Sequence, residues 1–177
     1  MICRTFINVE SRVIRNEYLL ITSFMLSLFL NQAIIAQPDT EVFKARLFVR
    51  GEEYIPFEVG DELDHVMGVS EYSGLVFTEN GEIATCYETS TFEQKNGRSI
   101  SVGYWIFTFK DSSEMVIRFE GDGPIGKNTN PFWKGSFTYI SGTGKYLGIQ
   151  GSGTYNGEYF PDVNCGYNDL SGTYLLK

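Results

Sequence analysis

The stretch Phe132–Gly157, which reads FWKGSFTYISGTGKYLGIQGSGTYNG, is the part of the sequence that decides the fold. A short aromatic strand leads into a Gly-Thr-Gly turn, and a second strand with closely spaced glycines follows. Glycine permits positive φ, bulges and close backbone approach. The five glycines in question are Gly142, Gly144, Gly148, Gly151 and Gly153. Such a pair of strands is typical of an antiparallel barrel, so the stretch indicates architecture rather than a reaction.

The composition supports a β-rich chain with one domain. Of the 177 residues, 42% are hydrophobic and 15% aromatic, which is enough for one sizeable core. Fourteen Phe and eleven Tyr beside 19 Gly favour strands and turns over a helical bundle. A formal net charge of −8 argues against nucleic acid or anionic lipid, since both need clustered cations. We therefore expect no nucleic-acid partner.

The first 36 residues have the pattern of a secretory signal. Arginines precede the apolar run LLITSFMLSLFL at 19–30, and Ala36 offers a small residue for cleavage. The run is too short for a membrane-spanning helix, which needs about 20 apolar residues. We expect cleavage after Ala36, export to an extracellular or periplasmic space, and a mature domain at 37–177. A retained membrane anchor is the alternative.

The cysteines agree with export. The mature chain keeps Cys86 and Cys165, and two cysteines in an oxidising compartment predict one disulfide. The alternative is two separate thiols in a reducing compartment. Because no histidine lies near either cysteine in the sequence, the pair makes a poor zinc site, and we expect no metal.

Turn signals divide the mature chain into about eight short strands. The pairs Asn80-Gly81, Asn96-Gly97 and Asn156-Gly157 mark turns between strands. Strands are predicted at 42–49, 73–78, 82–92, 99–110, 114–120 and 171–176, with an irregular acidic loop at 51–65 and a long loop at 121–134. With little helical periodicity, this spacing predicts an all-β fold, a single antiparallel barrel of up-and-down or partly Greek-key order.

One predicted hairpin carries a wide aromatic face. If Lys110 opposes Glu114, alternate residues of its two strands point the same way, and Tyr104 lies opposite Glu120. The aromatic face must be buried, either as packed core or as the wall of a cavity. It supplies the candidate cavity lining, which comprises Trp105, Phe107, Phe109, Met115, Ile117 and Phe119. On the other face, Arg118 and Glu120 are most simply an exposed pair.

The segment FTYISGTGKYLGIQGSGTY at 137–155 resembles the hallmark segment of the allene oxide cyclase and dirigent barrel superfamily. The shared pattern is a strand, the turn Gly142-Thr143-Gly144, the aromatic Tyr146 and a strand of small residues. The resemblance implies a closed, calycin-like barrel around an apolar cavity. In several members, such a barrel steers the cyclisation or coupling of reactive intermediates without a cofactor. The resemblance assigns no catalytic residue to this chain, and we expect no cofactor.

The spacing of the same glycines opposes nucleotide binding. Leu147 stands where a dinucleotide fingerprint needs its third glycine. Tyr146 follows Lys145 where a phosphate-binding loop needs Ser or Thr.

A few polar and aromatic residues outside this segment are further candidates. Asp61, Glu62, Asp64 and His65 have the side chains to hold a metal or supply a base, but without a calcium-loop pattern a solvated acidic loop is the better interpretation. Glu88 is either exposed strand decoration or, if buried, a tuned acid or base.

Three functions are compatible with this sequence. The first is a secreted barrel that binds a small apolar or aromatic molecule, which needs a cavity. The second is a module that binds protein or glycan through its loops, with a solid barrel and an exposed aromatic platform at Trp133. The third is a cofactor-free cyclase or isomerase, which needs an ionisable group inside the cavity, from Glu88, Arg118 or Tyr104. We favour them in that order.

Overall fold

The structure is a computed structural model that describes residues 39–125 and 131–177. The predicted signal segment at 1–36 lies outside the described residues, and so does part of the predicted loop at 121–134.

Eight antiparallel strands follow one another around a closed barrel. Each strand pairs with its neighbour in the sequence, and the first strand closes the barrel by pairing with the last. Two 3-10 turns, Gly144–Tyr146 and Pro161–Val163, connect the sixth strand to the seventh and the seventh to the eighth. The strands are β1 (Glu41–Glu58), β2 (Val66–Thr78), β3 (Ile83–Lys95), β4 (Arg98–Phe109), β5 (Glu114–Pro124), β6 (Phe132–Gly142), β7 (Gln150–Phe160) and β8 (Cys165–Leu175). The prediction of an all-β antiparallel barrel is confirmed, in up-and-down order.

Several strands are longer than the sequence predicts. The loop predicted at 51–65 is wrong for residues 51–58, which continue β1 past a bulge between Gly51 and Glu53. Likewise, β2 and β8 begin well before the predicted 73 and 171. Their early parts carry glycine and polar residues at inward positions, such as Gly68, Ser70 and Gly166, so the hydrophobic alternation is lost there.

The β4–β5 hairpin keeps its predicted faces but not its predicted register. Thr108 lies opposite Glu114, and Tyr104 lies opposite Arg118 rather than Glu120. The turn lies one residue earlier than predicted, because the N–H of Phe109 donates to the carbonyl of Ser113 at 2.9 Å. Ser112, inside the turn, has a φ of 65°. A shift by two residues leaves every side chain on its expected face.

The barrel interior has two unlike halves. At the end where β1 begins and β8 ends, called here the plugged end, large apolar side chains fill the space. These buried residues include Phe43, Leu47, Val76, Phe107, Phe109, Met115, Ile117, Phe137, Tyr139 and Leu170. At the opposite end, called here the open end, the inward positions are mostly small, polar or aromatic.

The Gly-Thr-Gly segment forms the plug. The ring of Tyr146 packs 4.8 Å from that of Phe109, and its hydroxyl donates to Glu82 at 3.2 Å. The hydroxyl of Thr143 accepts the N–H of Glu114 at 3.0 Å. Gly144 has a φ of +56°, and a Cβ there would lie 2.7 Å from Ser113. The stretch most informative about the fold therefore closes one end of the barrel.

Cys86 and Cys165 are free thiols, so the predicted disulfide is not formed. Cys86 is buried in the core on β3, whereas Cys165 begins β8 at the open end. Strands β1 and β2 stand between β3 and β8 in the barrel wall, so two strands separate the cysteines.

Candidate functional site

The open end of the barrel contains a cavity of about 110 Å³. Its lining combines aromatic rings with hydroxyl, amide and carboxyl groups, and all eight strands contribute to it. The rings include Trp105, Phe119, Trp133 and Tyr155, and the polar groups include Ser70, Tyr72, Glu88, Ser90 and Ser99. Glu88 is the one carboxyl group among the buried side chains of the described residues, and aromatic rings surround it here.

The cavity exists because small residues occupy inward positions on this half. Gly103 and Gly121 let two rings lie directly against the wall. A Cβ on Gly103 would come within 2.8 Å of the Phe119 ring, and a Cβ on Gly121 would lie 2.1 Å from the Tyr155 hydroxyl. Short side chains therefore leave a space that the packed half of the barrel lacks.

Stacked rings form the floor of the cavity. The ring centroids of Trp105 and Phe119 lie 4.3 Å apart with an interplanar angle of 16°. Tyr155 meets Trp105 edge-on at 5.0 Å. Offset stacking and edge-to-face contact are the favoured arrangements of aromatic pairs, so the floor is rigid.

Glu88 is the buried carboxyl of this site. Its exposure is 8%, and the indole Nε1–H of Trp105 donates to its Oε2 at 2.8 Å. Burial raises the pKa of Glu88 from 4.5 to about 7, although hydrogen bonds from Trp105 and Ser90 favour the ionised form. The charge of the cavity therefore changes near neutral pH.

Hydroxyl groups extend from Glu88 along one wall. The hydroxyls of Ser90 and Ser70 are 2.9 Å apart, and Ser70 is also a hydrogen-bond partner of Tyr72. Burial, followed by the nearby charge of Glu88, raises the pKa of Tyr72 and of Tyr155. Both phenols therefore remain neutral hydrogen-bonding groups at physiological pH.

One polar atom of the lining has no protein partner. The hydroxyl of Ser99 is fully buried and makes no hydrogen bond within the described protein. Buried hydroxyls nearly always have a partner. Ser99 is one of the residues around the cavity, and its hydroxyl lies just behind the surface of the lining.

The predicted lining is divided between the cavity and the core. Trp105 and Phe119 line the cavity. The prediction is wrong for Phe107, Phe109, Met115 and Ile117, which are packed in the core toward the plugged end, because one face of a hairpin runs through both halves of the barrel.

The predicted polar groups are also divided. Glu88 faces the cavity, while Tyr104 is 47% exposed and Arg118 pairs with Glu120 on the outer surface at 3.3 Å. The prediction that Tyr104 and Arg118 face the cavity is wrong, since both side chains point outward from their strands. Sequence reasoning missed Tyr72, Ser99 and Tyr155. Only the period-two alternation within their strands would have indicated that they point inward.

The acidic loop is anchored at the same end of the barrel. His65 is buried, with Nδ1 2.5 Å from Asp61 and Nε2 3.0 Å from Glu93 on β3. The contact with His65 lowers the pKa of Asp61. Within the described residues, no group of three or more His, Cys, Asp or Glu side chains is arranged to hold a metal. His65 therefore ties the β1–β2 loop to the barrel.

Of the two aromatic residues that begin β6, one points into the barrel. Trp133 is half-buried, packs against the core and lines the cavity, whereas Phe132 is exposed.

Across residues 39–125 and 131–177, no helix is long and apolar enough to cross a membrane.

Comparison with known structures supports the fold. The chain is similar to a conserved protein of unknown function from Rhodopseudomonas palustris, known from its crystal structure, with 12% identity and a TM-score of 0.55. The match covers 77% of this chain and 99% of that one. At this identity the likeness shows the fold alone. No protein-family model matches the chain, and no curated protein matches it. The allene oxide cyclase and dirigent resemblance therefore stays a prediction.

Proposed function

We propose that this protein is a binding barrel that holds a small, ring-sized organic molecule in the cavity at its open end. The observation that carries the proposal is the cavity itself, which has an aromatic floor and buried polar groups that face the same space. Small-molecule sites generally combine a concave, mostly aromatic lining with a few placed polar groups. The occupant is an aromatic or apolar ring with one polar substituent.

The size of the space agrees with such a ligand. A cavity of about 110 Å³ is somewhat smaller than the roughly 150 Å³ that holds one benzene molecule in an engineered protein core. A single ring, with its substituents directed toward the mouth, is therefore the largest group that we expect this space to hold.

The direct test is mass spectrometry of the purified protein after organic extraction, followed by binding of whatever compound is recovered. The variant Ser101→Leu fills the cavity and should abolish binding, because Ser101 is one of its lining residues. The matched control is Ser136→Leu, which makes the same change on an exposed position of β6. Equal binding by both variants would show that the ligand lies elsewhere.

We also propose that the barrel acts after export, with residues 1–36 removed as a signal and 37–177 remaining. The basic and apolar pattern before Ala36 supports this. The intact mass of the protein from the extracellular or periplasmic fraction tests it. A mass that includes the first 36 residues would contradict it.

A cofactor-free isomerase is the second candidate, and one observation favours it. Glu88 titrates near neutral pH inside the cavity, beside the neutral phenols of Tyr72 and Tyr155, as a general acid or base must. In that case Glu88→Gln would abolish turnover of the bound compound without unfolding the barrel. The loop-mediated interaction module ranks last, because it requires a barrel that is solid at both ends.

A further inference from the structure

The charged groups of the cavity have one sign. Among the described residues, its lining includes the carboxyl groups of Glu88 and Glu158 and contains no lysine, arginine or histidine. An anionic ligand would therefore meet the carboxyl group of Glu88, which no described cation of the lining offsets. A cationic ligand would instead be attracted by the Glu88 carboxylate.

Glu88 has hydrogen-bond donors but no cationic counterpart. Its partners are Trp105 and Ser90, and no ion pair to it occurs among the described residues. A carboxylate has two oxygens with about four acceptor sites, and one oxygen here is engaged by the indole at 2.8 Å. Glu88 can therefore accept a hydrogen bond from a further donor. Such a donor would stabilise the ionised carboxylate, which is costly to bury without a counter-charge.

The rings beside Glu88 complement a cation in a second way. The π face of an aromatic ring is electronegative, and ammonium groups bind favourably over Trp, Tyr and Phe, most strongly when removed from water. Trp105, Phe119 and Tyr155 meet at the floor of the cavity. The net charge of −8 adds a long-range attraction for cations.

We infer that the ligand of this cavity is a small organic ammonium compound whose cationic head lies between Glu88 and the aromatic floor. The inference rests on the proposed binding function and specifies its ligand class. Recognition combines the charge of one buried carboxylate with the faces of the rings that enclose it. Neutral ring compounds of the same shape enter more weakly, and anionic ones are rejected.

The inference requires binding to depend on pH. Protonated Glu88 is neutral, so the preference for an ammonium ligand is weak well below pH 7 and develops as the pH rises through about 7. The titratable groups nearest Glu88 are Tyr72 on β2, Tyr155 on β7, Cys86 on β3 and Glu158 on β7. The phenols of Tyr54, Tyr159 and Tyr167 also line the cavity. Burial raises the pKa of the two phenols and of the thiol, so these three are neutral throughout this range.

The test uses three probes that share a phenyl ring but differ in charge: 2-phenylethylamine, 2-phenylethanol and phenylacetate. Calorimetric titration of the folded protein at about pH 8 should show the amine binding at least about tenfold more tightly than the alcohol, with no binding of the acid. At about pH 5.5 the amine should lose most of that advantage.

Two variants locate the effect. Glu88→Gln keeps the shape and the hydrogen bond from Trp105 but removes the charge, so amine and alcohol should bind within about twofold of each other. Glu79→Gln makes the same charge change in an exposed turn at the plugged end and should leave the tenfold preference intact. If Glu88→Gln does not fold, the pH series on the unaltered protein gives the same answer.

The outcomes separate the two proposals. Equal affinity for amine and alcohol at about pH 8, or an amine preference that survives in Glu88→Gln, overturns the ammonium inference while the binding barrel stands. Failure of all three probes to bind overturns the binding of ring-sized molecules and the ammonium inference with it. Tight binding of the amine that depends on Glu88 supports both.

Discussion

Substituting Glu88 by glutamine should change how the stability of the ligand-free barrel depends on pH. Between its unfolded pKa of 4.5 and its folded pKa of about 7, Glu88 holds a proton in the folded state that the unfolded chain has lost. The free energy of unfolding therefore falls as the pH rises through this window. The contribution is fully present below pH 4.5 and is gone above about pH 7.

The size of the effect follows from that difference in pKa. At 1.36 kcal/mol per pKa unit, moving from 4.5 to about 7 costs the folded protein about 3 kcal/mol. Glu88→Gln has no proton to lose and keeps the acceptor for the indole of Trp105. The variant should therefore gain about 3 kcal/mol relative to the unaltered protein across the window.

Urea unfolding at a series of pH values measures this difference. The other carboxyl groups titrate in both proteins, so subtracting the two stability curves isolates Glu88. Glu79→Gln, exposed in a turn at the plugged end, should follow the unaltered protein at every pH. Parallel curves for the unaltered protein and Glu88→Gln would refute a buried carboxyl with a raised pKa.

Three further expectations follow from the packing. Gly74→Ala should lower the free energy of unfolding by more than about 2 kcal/mol, because its Cβ would lie 1.9 Å from the carbonyl oxygen of Phe48; an unchanged urea midpoint would contradict this. Tyr139→Phe should raise the free energy of unfolding by about 1 kcal/mol, since the hydroxyl it removes is buried without a partner, and a loss of stability would count against that. In peptide mapping after thiol labelling, Cys165 should react in the folded protein and Cys86 only after denaturation, because burial shields the Cys86 thiol and raises its pKa; equal labelling would contradict the packing.

Much of the fold follows from local sequence signals. The turn pairs around Gly81 and Gly97 and the glycine-rich stretch after Phe132 predict an antiparallel barrel, and the barrel is present. The boundaries of β1, β2 and β8 were less predictable. Their extensions toward the open end place glycine, serine and asparagine inside the barrel, and an inward serine lacks the hydrophobic signal by which strands are recognised.

The candidate site was only partly predictable for the same reason. Alternation assigns Trp105, Phe107 and Phe119 to one face, but it contains no information about where along the axis the interior is filled. That depends on the small inward residues nearby, such as Gly103 on the same strand as Trp105 and Ser90 on β3, which leave space beside Trp105 and Phe119. Phe107 lies one inward position further toward the plugged end and is packed solid.

The most direct test of ligand binding is the indole Nε1–H resonance of Trp105 in a ¹⁵N-labelled sample. The chain has two tryptophans, so the variant Trp133→Phe identifies the Trp105 signal. On titration with 2-phenylethylamine at about pH 8, that resonance should shift and saturate at one equivalent, because the indole forms both the floor of the cavity and the hydrogen bond to Glu88. A Trp105 resonance that stays in place while other signals move would contradict the account, because the compound would then bind outside the barrel.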